Sequence, residues 1–499
     1  MYWSILSTVL VFALYFYFTR TLKYWKHKNV KGPKPIPVFG NFKDVALRRK
    51  AKVTLYNEIY KQYPEEKVVG LYQMTSPTLL IRDLDIVKQV LIKDFNLFPD
   101  RGMYFSKKGL GENIIHCDAE TWKILRNQFT VLFTSSKFKK MFQILDDRGD
   151  KFANYVKFFT KNQTEQDVFN LVFKYGVSTS IVTAFGLDVD TFKNESDWFD
   201  ILDKSFINSY LLELDLLFPG LLTKMNLSIT IGETKNICHQ ILKTCLNKEN
   251  TCYKTNVLNV KDVLNNLRSD NKNAEQMNKE SNPTIEITDD LLAGQVWAFH
   301  MAGYINNTLS MTYTLYHLAR NQDIQDKLRK EIHEVMKKCN GTLTYELLKE
   351  MKYLKMVFYE TLRINPPTHA LTRHLRESLK LEGMDLTIDK GSTVVMCPYA
   401  IQHDEKYYPE PEKFNPERFS SENAKQQHPC AFLSFGGGPR GCFAPQYAQL
   451  QFGVGISKLL NKFRVETSRN TCSQLTYDPY HVLVKPAPAV LLKFIALDM

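Results

Sequence analysis

Phe435-Gly436-Gly437-Gly438-Pro439-Arg440-Gly441-Cys442-Phe443-Ala444-Pro445 is the stretch around which the rest of the chain organises. It is a tight glycine-rich turn that delivers one cysteine to the start of a new helix. Pro445 suits the first turn of that helix, and the run to about Leu460 holds no further proline. Backbone N–H groups at a helix start favour a thiolate, and Arg440 adds a positive charge nearby. A thiolate held at the end of a stiff loop is what a single axial metal ligand requires. Two other readings share the glycine-rich turn. A phosphate-binding loop needs Gly-Lys-Ser/Thr before its helix, whereas this one offers Gly441-Cys442-Phe443. A cysteine protease needs a general-base histidine, which sequence alone cannot place.

The other cysteines stand in plainer settings. Nine occur, at 117, 238, 245, 252, 339, 397, 430, 442 and 472, with no CxxC pair among them. That spacing speaks against structural zinc and thioredoxin-like chemistry, and suits a reducing compartment. With 499 residues, 44% hydrophobic and 24% charged, the composition is that of a folded chain with a core able to hold a large cofactor. The net charge of +12 calls for an acidic partner. Its Lys and Arg residues are spread along the chain without a nucleic-acid signature, so nucleic acid is not the expected partner.

The first nineteen residues, MYWSILSTVLVFALYFYFT, carry no charge. As a helix they measure roughly 28 Å, enough to cross a bilayer core. Trp3, Tyr15 and Tyr17 suit the interfaces, and Arg20, Lys23, Lys26, Lys28 and Lys31 place the remainder on the cytoplasmic side. A cleaved signal peptide is the rival, but the segment lacks a basic leader and a small-residue cleavage site. Residues 1–19 are therefore expected to be a transmembrane anchor, 20–41 a basic and proline-rich stiff hinge, and 42–499 one catalytic body. That body reads as mainly α. Thr288 is a plausible N-cap for a long helix ending near Ala319, followed by helices over about Asp323–Lys338 and Leu347–Leu362. The stretch from about 269 to 282, rich in Asn, Lys and Glu, reads as a mobile surface loop. Short strands are expected near 67–82, 378–397 and 480–494.

The cysteine loop resembles the cytochrome P450 haem-binding signature Phe-x-x-Gly-x-Arg-x-Cys-x-Gly, through Phe435, Gly438, Arg440 and Cys442. Ala444 stands where glycine is usual. Further resemblances follow in the family's order. Glu360-Thr361-Leu362-Arg363 is similar to the Glu-x-x-Arg helix, and its spacing puts both charges on one helix face. Pro416-Glu417-Arg418-Phe419 is similar to the segment whose arginine completes that ion network. Trp122 and Arg126 form the Trp-x-x-x-Arg pair that contacts a haem propionate, and the family adds Arg373 and Arg440 as further propionate partners. Phe98-Pro99-Asp100-Arg101-Gly102 and Phe133-Thr134-Ser135-Ser136-Lys137 resemble animal microsomal members. The branch is that of insect detoxification and vertebrate drug-oxidising enzymes.

The resemblance implies a P450 fold with a small β-rich region and an endoplasmic-reticulum anchor. It also implies haem b with Cys442 as the iron's thiolate ligand, which favours O–O cleavage. The reaction is then monooxygenation of a lipophilic small molecule. Electrons come from NADPH through NADPH–cytochrome P450 reductase, with cytochrome b5 as an additional partner. Lys123, Lys137, Lys139 and Lys140 form a candidate basic patch for an acidic reductase surface.

The oxygen-activating stretch departs from the family. The usual Ala/Gly-Gly-x-Asp/Glu-Thr is here Ala302-Gly303-Tyr304-Ile305-Asn306. Gly303 and Asn306 occupy the catalytic positions, yet Ile305 cannot relay a proton and Asn306 supplies no hydroxyl. Thr308 lies two residues on, about 200° around the helix, and should point away from the iron. Rearranging P450s that act on hydroperoxides or endoperoxides also lack the threonine, so isomerase or dehydratase chemistry is a second reading. A weakly catalytic haem-binding protein is a third. By family analogy the substrate pocket draws on Tyr104, Phe105, Ile114, Ile115, Phe299, His300 and Tyr304, closed by Ala370, Leu371, Val482 and Leu483. Most of these are apolar or aromatic, as a lipophilic substrate requires. His300 is read as a pocket or packing residue and not as a second iron ligand.

Overall fold

Thr288 starts the long helix in the way its side chain allows. Its hydroxyl oxygen accepts from the Leu291 N–H at 3.1 Å, and the helix runs Asp289–Arg320, 32 residues, or about 48 Å. Asn321 ends it, with its backbone N–H and its Nδ2 both donating to the His317 carbonyl, at 3.0 and 2.8 Å. The computed structural model describes residues 2–102, 110–160, 165–189, 191–192, 221–225, 227, 232–246, 259–276, 285–338 and 342–497. Among these the long helix is the spine. The helix Val168–Phe185 lies along one side of it, capped by Asp167 and ended by Gly186 in the left-handed region. That second helix is apolar enough to cross a membrane, but 78% of it is buried, which makes it a core helix. The helix Pro445–Lys462, which follows the cysteine loop, packs on Ser135–Thr160.

The β-structure is small and lies to one side. Val68–Gln73 and Ser76–Ile81 form an antiparallel hairpin, Thr393–Met396 adds in parallel, and Leu371–His374 closes the sheet antiparallel. A second sheet joins Glu165–Asp167, Leu491–Ala496 and Phe463–Thr467. The expected strands near 67–82, 378–397 and 480–494 are present. Glu165–Asp167, Leu371–His374, Phe463–Thr467 and Thr476–Tyr477 were not foreseen.

Two expectations are corrected. The single helix over Leu347–Leu362 is two helices, Tyr345–Glu350 and Lys352–Ile364, parted at Met351. The second start is capped from outside, because the Glu331 carboxylate accepts from the Tyr353 and Leu354 N–H groups at 2.9 and 2.8 Å. The loop expected over 269–282 is helical in its first part, since Val260–Gln276 is one helix. Residues 277–284 lie outside the described residues.

The N-terminal helix Tyr2–Thr19 has no buried residue, and its side chains carry no charge. The segment behind it is docked. Trp25 is buried, and its indole Nε1 donates to the Leu71 carbonyl at 2.8 Å. Tyr24 and Lys28 both donate to the Asp389 carboxylate at 2.8 Å. Gly32 and Gly70 meet so closely that a Cβ on Gly32 would lie 1.9 Å from the Gly70 carbonyl oxygen. Gly40 bridges to Gln73 at the end of the same hairpin. The proline-rich segment is thus stiff because the sheet holds it, as well as by its prolines.

Candidate functional site

The cysteine loop is shaped by close approach to another part of the chain. Gly438 has φ +64°, and a Cβ there would lie 1.7 Å from the Leu91 carbonyl oxygen. Gly436 also sits in the left-handed region, at φ +73°. The turn closes where the Cys442 N–H donates to the Phe435 carbonyl at 2.8 Å, and the Phe435 ring packs at steep angles among Phe358, Tyr359 and Phe432. The Ala444 N–H points at the Cys442 sulfur, 3.4 Å away. Burial nevertheless pushes the Cys442 thiol pKa up, and this outweighs the Ala444 N–H and the charges of Arg126 and Arg101. The expected lowering by the helix start is therefore overcome. Cys442 is nonetheless accessible from outside the fold. The charge expected from Arg440 is corrected as well: its guanidinium turns away, donating to Pro99 and Cys117 carbonyls at 2.9 and 3.0 Å.

Four guanidinium groups gather beside the loop. Arg126 donates to the Gly441 carbonyl at 3.0 Å and lies 4.5 Å over the Phe443 ring. Arg440 lies 4.6 Å over the indole of Trp122. Arg373 comes from the edge strand, and Arg101 donates to the Arg440 carbonyl at 3.2 Å. Burial and mutual repulsion depress Arg101 to about 10 and Arg373 to about 9. Among the described residues, Arg373 Nε and Arg440 Nη1 are buried without a hydrogen-bond partner. Crowded cations with spare N–H groups call for an anion of more than one charge, and two carboxylates meet that need. The residues present therefore fit a haem, whose carboxylates Arg101, Arg373, Arg440, Arg126 and Trp122 would hold. Arg101 was missed as a site residue, although Phe98–Gly102 had been singled out as a motif.

Opposite the loop stands one face of the long helix. Between Leu291 and Ala319, only Phe299, Ala302, Gly303 and Asn306 are less than fully buried. Phe299 contacts the Phe443 ring next to the cysteine, with centroids 5.9 Å apart, and Ala302 is exposed in mid-helix. The Asn306 amide makes no hydrogen bond among the described residues, whereas Ile305 is buried in the core. Gly303 lets the neighbouring helix approach closely, since a Cβ there would lie 2.5 Å from Ser180 Oγ on the Val168–Phe185 helix. His300 and Tyr304 face the same neighbour, which for His300 is the packing side of its pocket-or-packing reading. His300 packs on Ser180, with Oγ 3.1 Å from its carbonyl oxygen, and Tyr304 stands edge-on to Phe173 at 5.2 Å. Both lie about 100–160° from the Phe299–Ala302–Asn306 arc. Thr308 points to that neighbouring helix too, its hydroxyl donating to the Tyr304 carbonyl at 2.9 Å.

The remaining wall residues converge. Ile114, Ile115, Phe299, Val482 and Leu483 belong to one apolar cluster. Ala370 and Leu371 pack against a second cluster, and their neighbour His369 meets the first through its Nδ1, 2.9 Å from the Val482 carbonyl oxygen. Tyr104 and Phe105 lie outside the described residues.

Comparison with known proteins decides what this arrangement is. Residues 30–494 match the family model described as Cytochrome P450. The chain belongs to the cytochrome P450 family. It is 43% identical to "Cytochrome P450 6B1" of Papilio polyxenes, with 99% of each chain covered. "Cytochrome P450 6B2" of Helicoverpa armigera is 41% identical over 99% of this chain and 98% of its own, and "Cytochrome P450 6k1" of Blattella germanica 32% over 94% and 91%. As a cytochrome P450 the chain is a monooxygenase that holds haem b on a cysteine thiolate.

Two further parts of the P450 site are now readable. Glu360 and Arg363 are wholly buried and bidentate, at 2.7 and 2.9 Å, with Arg418 Nε 3.5 Å from Glu360. Arg363 also donates to the Gln402 carbonyl at 2.8 Å. The Gln402 side chain accepts from the Leu433 N–H at 2.7 Å, just ahead of the cysteine loop. Gln402, which sequence reasoning missed, thus wires the ion network to the P450 loop. In the basic patch Lys123, Lys139 and Lys140 are exposed, but Lys137 is half-buried and Lys139 is paired with Glu346.

Proposed function

We propose that this P450 inserts one oxygen atom from O2 into a lipophilic small molecule, with electrons from NADPH through a flavin reductase. The observation that carries it is Cys442 at the end of its glycine-rich loop, flanked by a guanidinium cradle and near the Phe299–Ala302–Asn306 arc. Haem on a thiolate supplies dioxygen cleavage there. The chain's own residues hold, orient and exclude. Arg101, Arg373 and Arg440 take the haem carboxylates, while Trp122 backs Arg440. Phe299, Phe443 and the Ile114–Ile115 wall exclude water and favour an apolar substrate. Asn306 offers one amide that would hold a polar atom of the substrate by hydrogen bond, but it cannot release a proton. Lys123 and Lys140 are the exposed cations offered to an acidic reductase. Glu360, Arg363 and Arg418 are the structural network behind the loop.

Residues 1–19 are proposed as the endoplasmic-reticulum anchor, 20–41 as the hinge, and 42–499 as the haem body on the cytoplasmic side. Deleting residues 2–19 is expected to leave haem content and the thiolate band of the reduced carbon-monoxide complex intact, because Trp25 and its partners remain. A truncated protein that cannot bind haem would place the anchor inside the fold.

The buried Ile305 and the unpaired Asn306 amide favour a second reading, in which the substrate brings its own O–O bond and no reductase is needed. Restoring the acid and alcohol with Ile305→Glu and Asn306→Thr separates the two. A monooxygenase is expected to gain roughly tenfold in product per NADPH, toward the contribution of a positioned proton donor. A rearranging enzyme gains nothing and turns over a hydroperoxide without reductase. A weakly catalytic haem binder does neither.

A further inference from the structure

Gln295 has no exposed surface, yet it places a polar amide on the long helix between that helix and an irregular segment. Its Nε2 donates to the Glu112 and Leu291 carbonyls at 3.2 and 2.9 Å, and its Oε1 accepts from the Ile114 N–H at 3.0 Å. Gly294 beside it admits the segment, because a Cβ there would lie 2.7 Å from the Glu112 oxygen. Asn113 is equally enclosed. Its Nδ2 donates to the Leu110 carbonyl at 2.7 Å, and its Oδ1 accepts from the Ile115 and His116 N–H groups at 3.0 and 3.3 Å. Segment 110–117 contains no helix or strand, so these two amides supply much of its order.

The same segment serves the site from two sides. Ile114 and Ile115 put their side chains into the apolar wall with Phe299 and Leu483. The carbonyls of Ile115 and Cys117 accept from Arg101 and Arg440, at 3.2 and 3.0 Å. A shift of the segment moves wall and cradle together. Packing alone would be served by an apolar residue at 295, since a buried amide is costly unless every group is matched. Here the amide is matched three times, all by backbone groups, which fixes position as well as filling space.

We propose that Gln295 and Asn113 are positioning residues, Gln295 latching segment 110–117 to the long helix and Asn113 fixing the segment's own turn, so that together they set both the substrate wall and the aim of Arg101 and Arg440. This rests on the haem-thiolate reading above. The test uses the full-length haem protein and two probes. Imidazole ligates the iron and reaches no wall; phenylimidazole ligates it and presses an aromatic ring on its surroundings. Gln295→Met keeps the side chain's length and removes its hydrogen bonds. The expected result is about tenfold weaker phenylimidazole binding, with imidazole binding changed less than about twofold. Haem transfer to apomyoglobin should be about tenfold faster, with the thiolate band of the carbon-monoxide complex retained. Asn113→Ala should produce the same two shifts, and carries the test if Gln295→Met loads haem poorly. Parallel changes in both probes, or unaltered haem transfer in a variant that loads haem, overturn the proposal. A wild-type protein without the thiolate band would defeat the haem-thiolate reading instead, before any variant is compared.

Discussion

Cys442→Ala abolishes the thiolate band of the reduced carbon-monoxide complex and all reductase-dependent turnover, while the protein still folds. The band requires a sulfur ligand, and among the described residues no other cysteine lies in the loop that faces the long-helix arc. Folding survives because the loop is fixed by its backbone. The Cys442 N–H bond to Phe435 is kept in alanine, and Gly436 and Gly438 are untouched. The guanidinium cradle is also intact, so the variant should still take up some haem, with a spectrum lacking the thiolate signature. Absorption of the carbon-monoxide complex and calorimetric unfolding check both halves. Persistence of the band in Cys442→Ala would sink the ligand assignment.

Glu360→Ala prevents stable haem loading for a different reason. It strands the Arg363 guanidinium in a site with no exposed surface, which costs about 3–5 kcal/mol. Typical domain stability is only about 5–15 kcal/mol, so most of the margin is lost. Burial already pushes the Glu360 carboxyl pKa up, against the pull of Arg363, the Asn415 N–H and Arg418. The network therefore spends its attraction on keeping this carboxylate charged. Arg418→Ala should be milder, since Arg418 stands 3.5 Å from Glu360, is partly exposed, and also donates to the Glu410 carbonyl. Haem content per protein and the midpoint of thermal unfolding rank the two variants. Equal losses would mean that Arg418 matters more than its geometry indicates; normal loading by Glu360→Ala would mean that the pair does not brace the loop.

What the sequence disclosed follows the range of the interactions. The cysteine loop was legible because its glycines, its proline and its cysteine are contiguous, and each answers a local demand. Thr288 was legible as a cap for the same reason. Gln402, Gln295 and Asn113 were not. They are single amides whose meaning depends on backbone groups elsewhere in the chain, and nothing in their neighbours marks them. The break at Met351 was hidden because its cap, Glu331, comes from the preceding helix Gln322–Lys338. His300 and Tyr304 show what helix periodicity adds to a family analogy. The angular rule that turned Thr308 away from the site also turns these two away, and it had been applied only to Thr308. Arg101 stood in a recognised motif, but its partnership with Arg440 joins residues 339 apart in sequence.

The docking of the segment behind the first helix bears on how the enzyme meets its surroundings. Trp25 under the hairpin and the Asp389 clamp leave no slack tether between that helix and the body. Once the helix sits in a bilayer, the body cannot tumble like a tethered ball; it turns only as the helix tilts or spins about the membrane normal. Under the proposed anchoring, a molecule dissolved in the lipid would meet one flank of the body and a soluble partner the others.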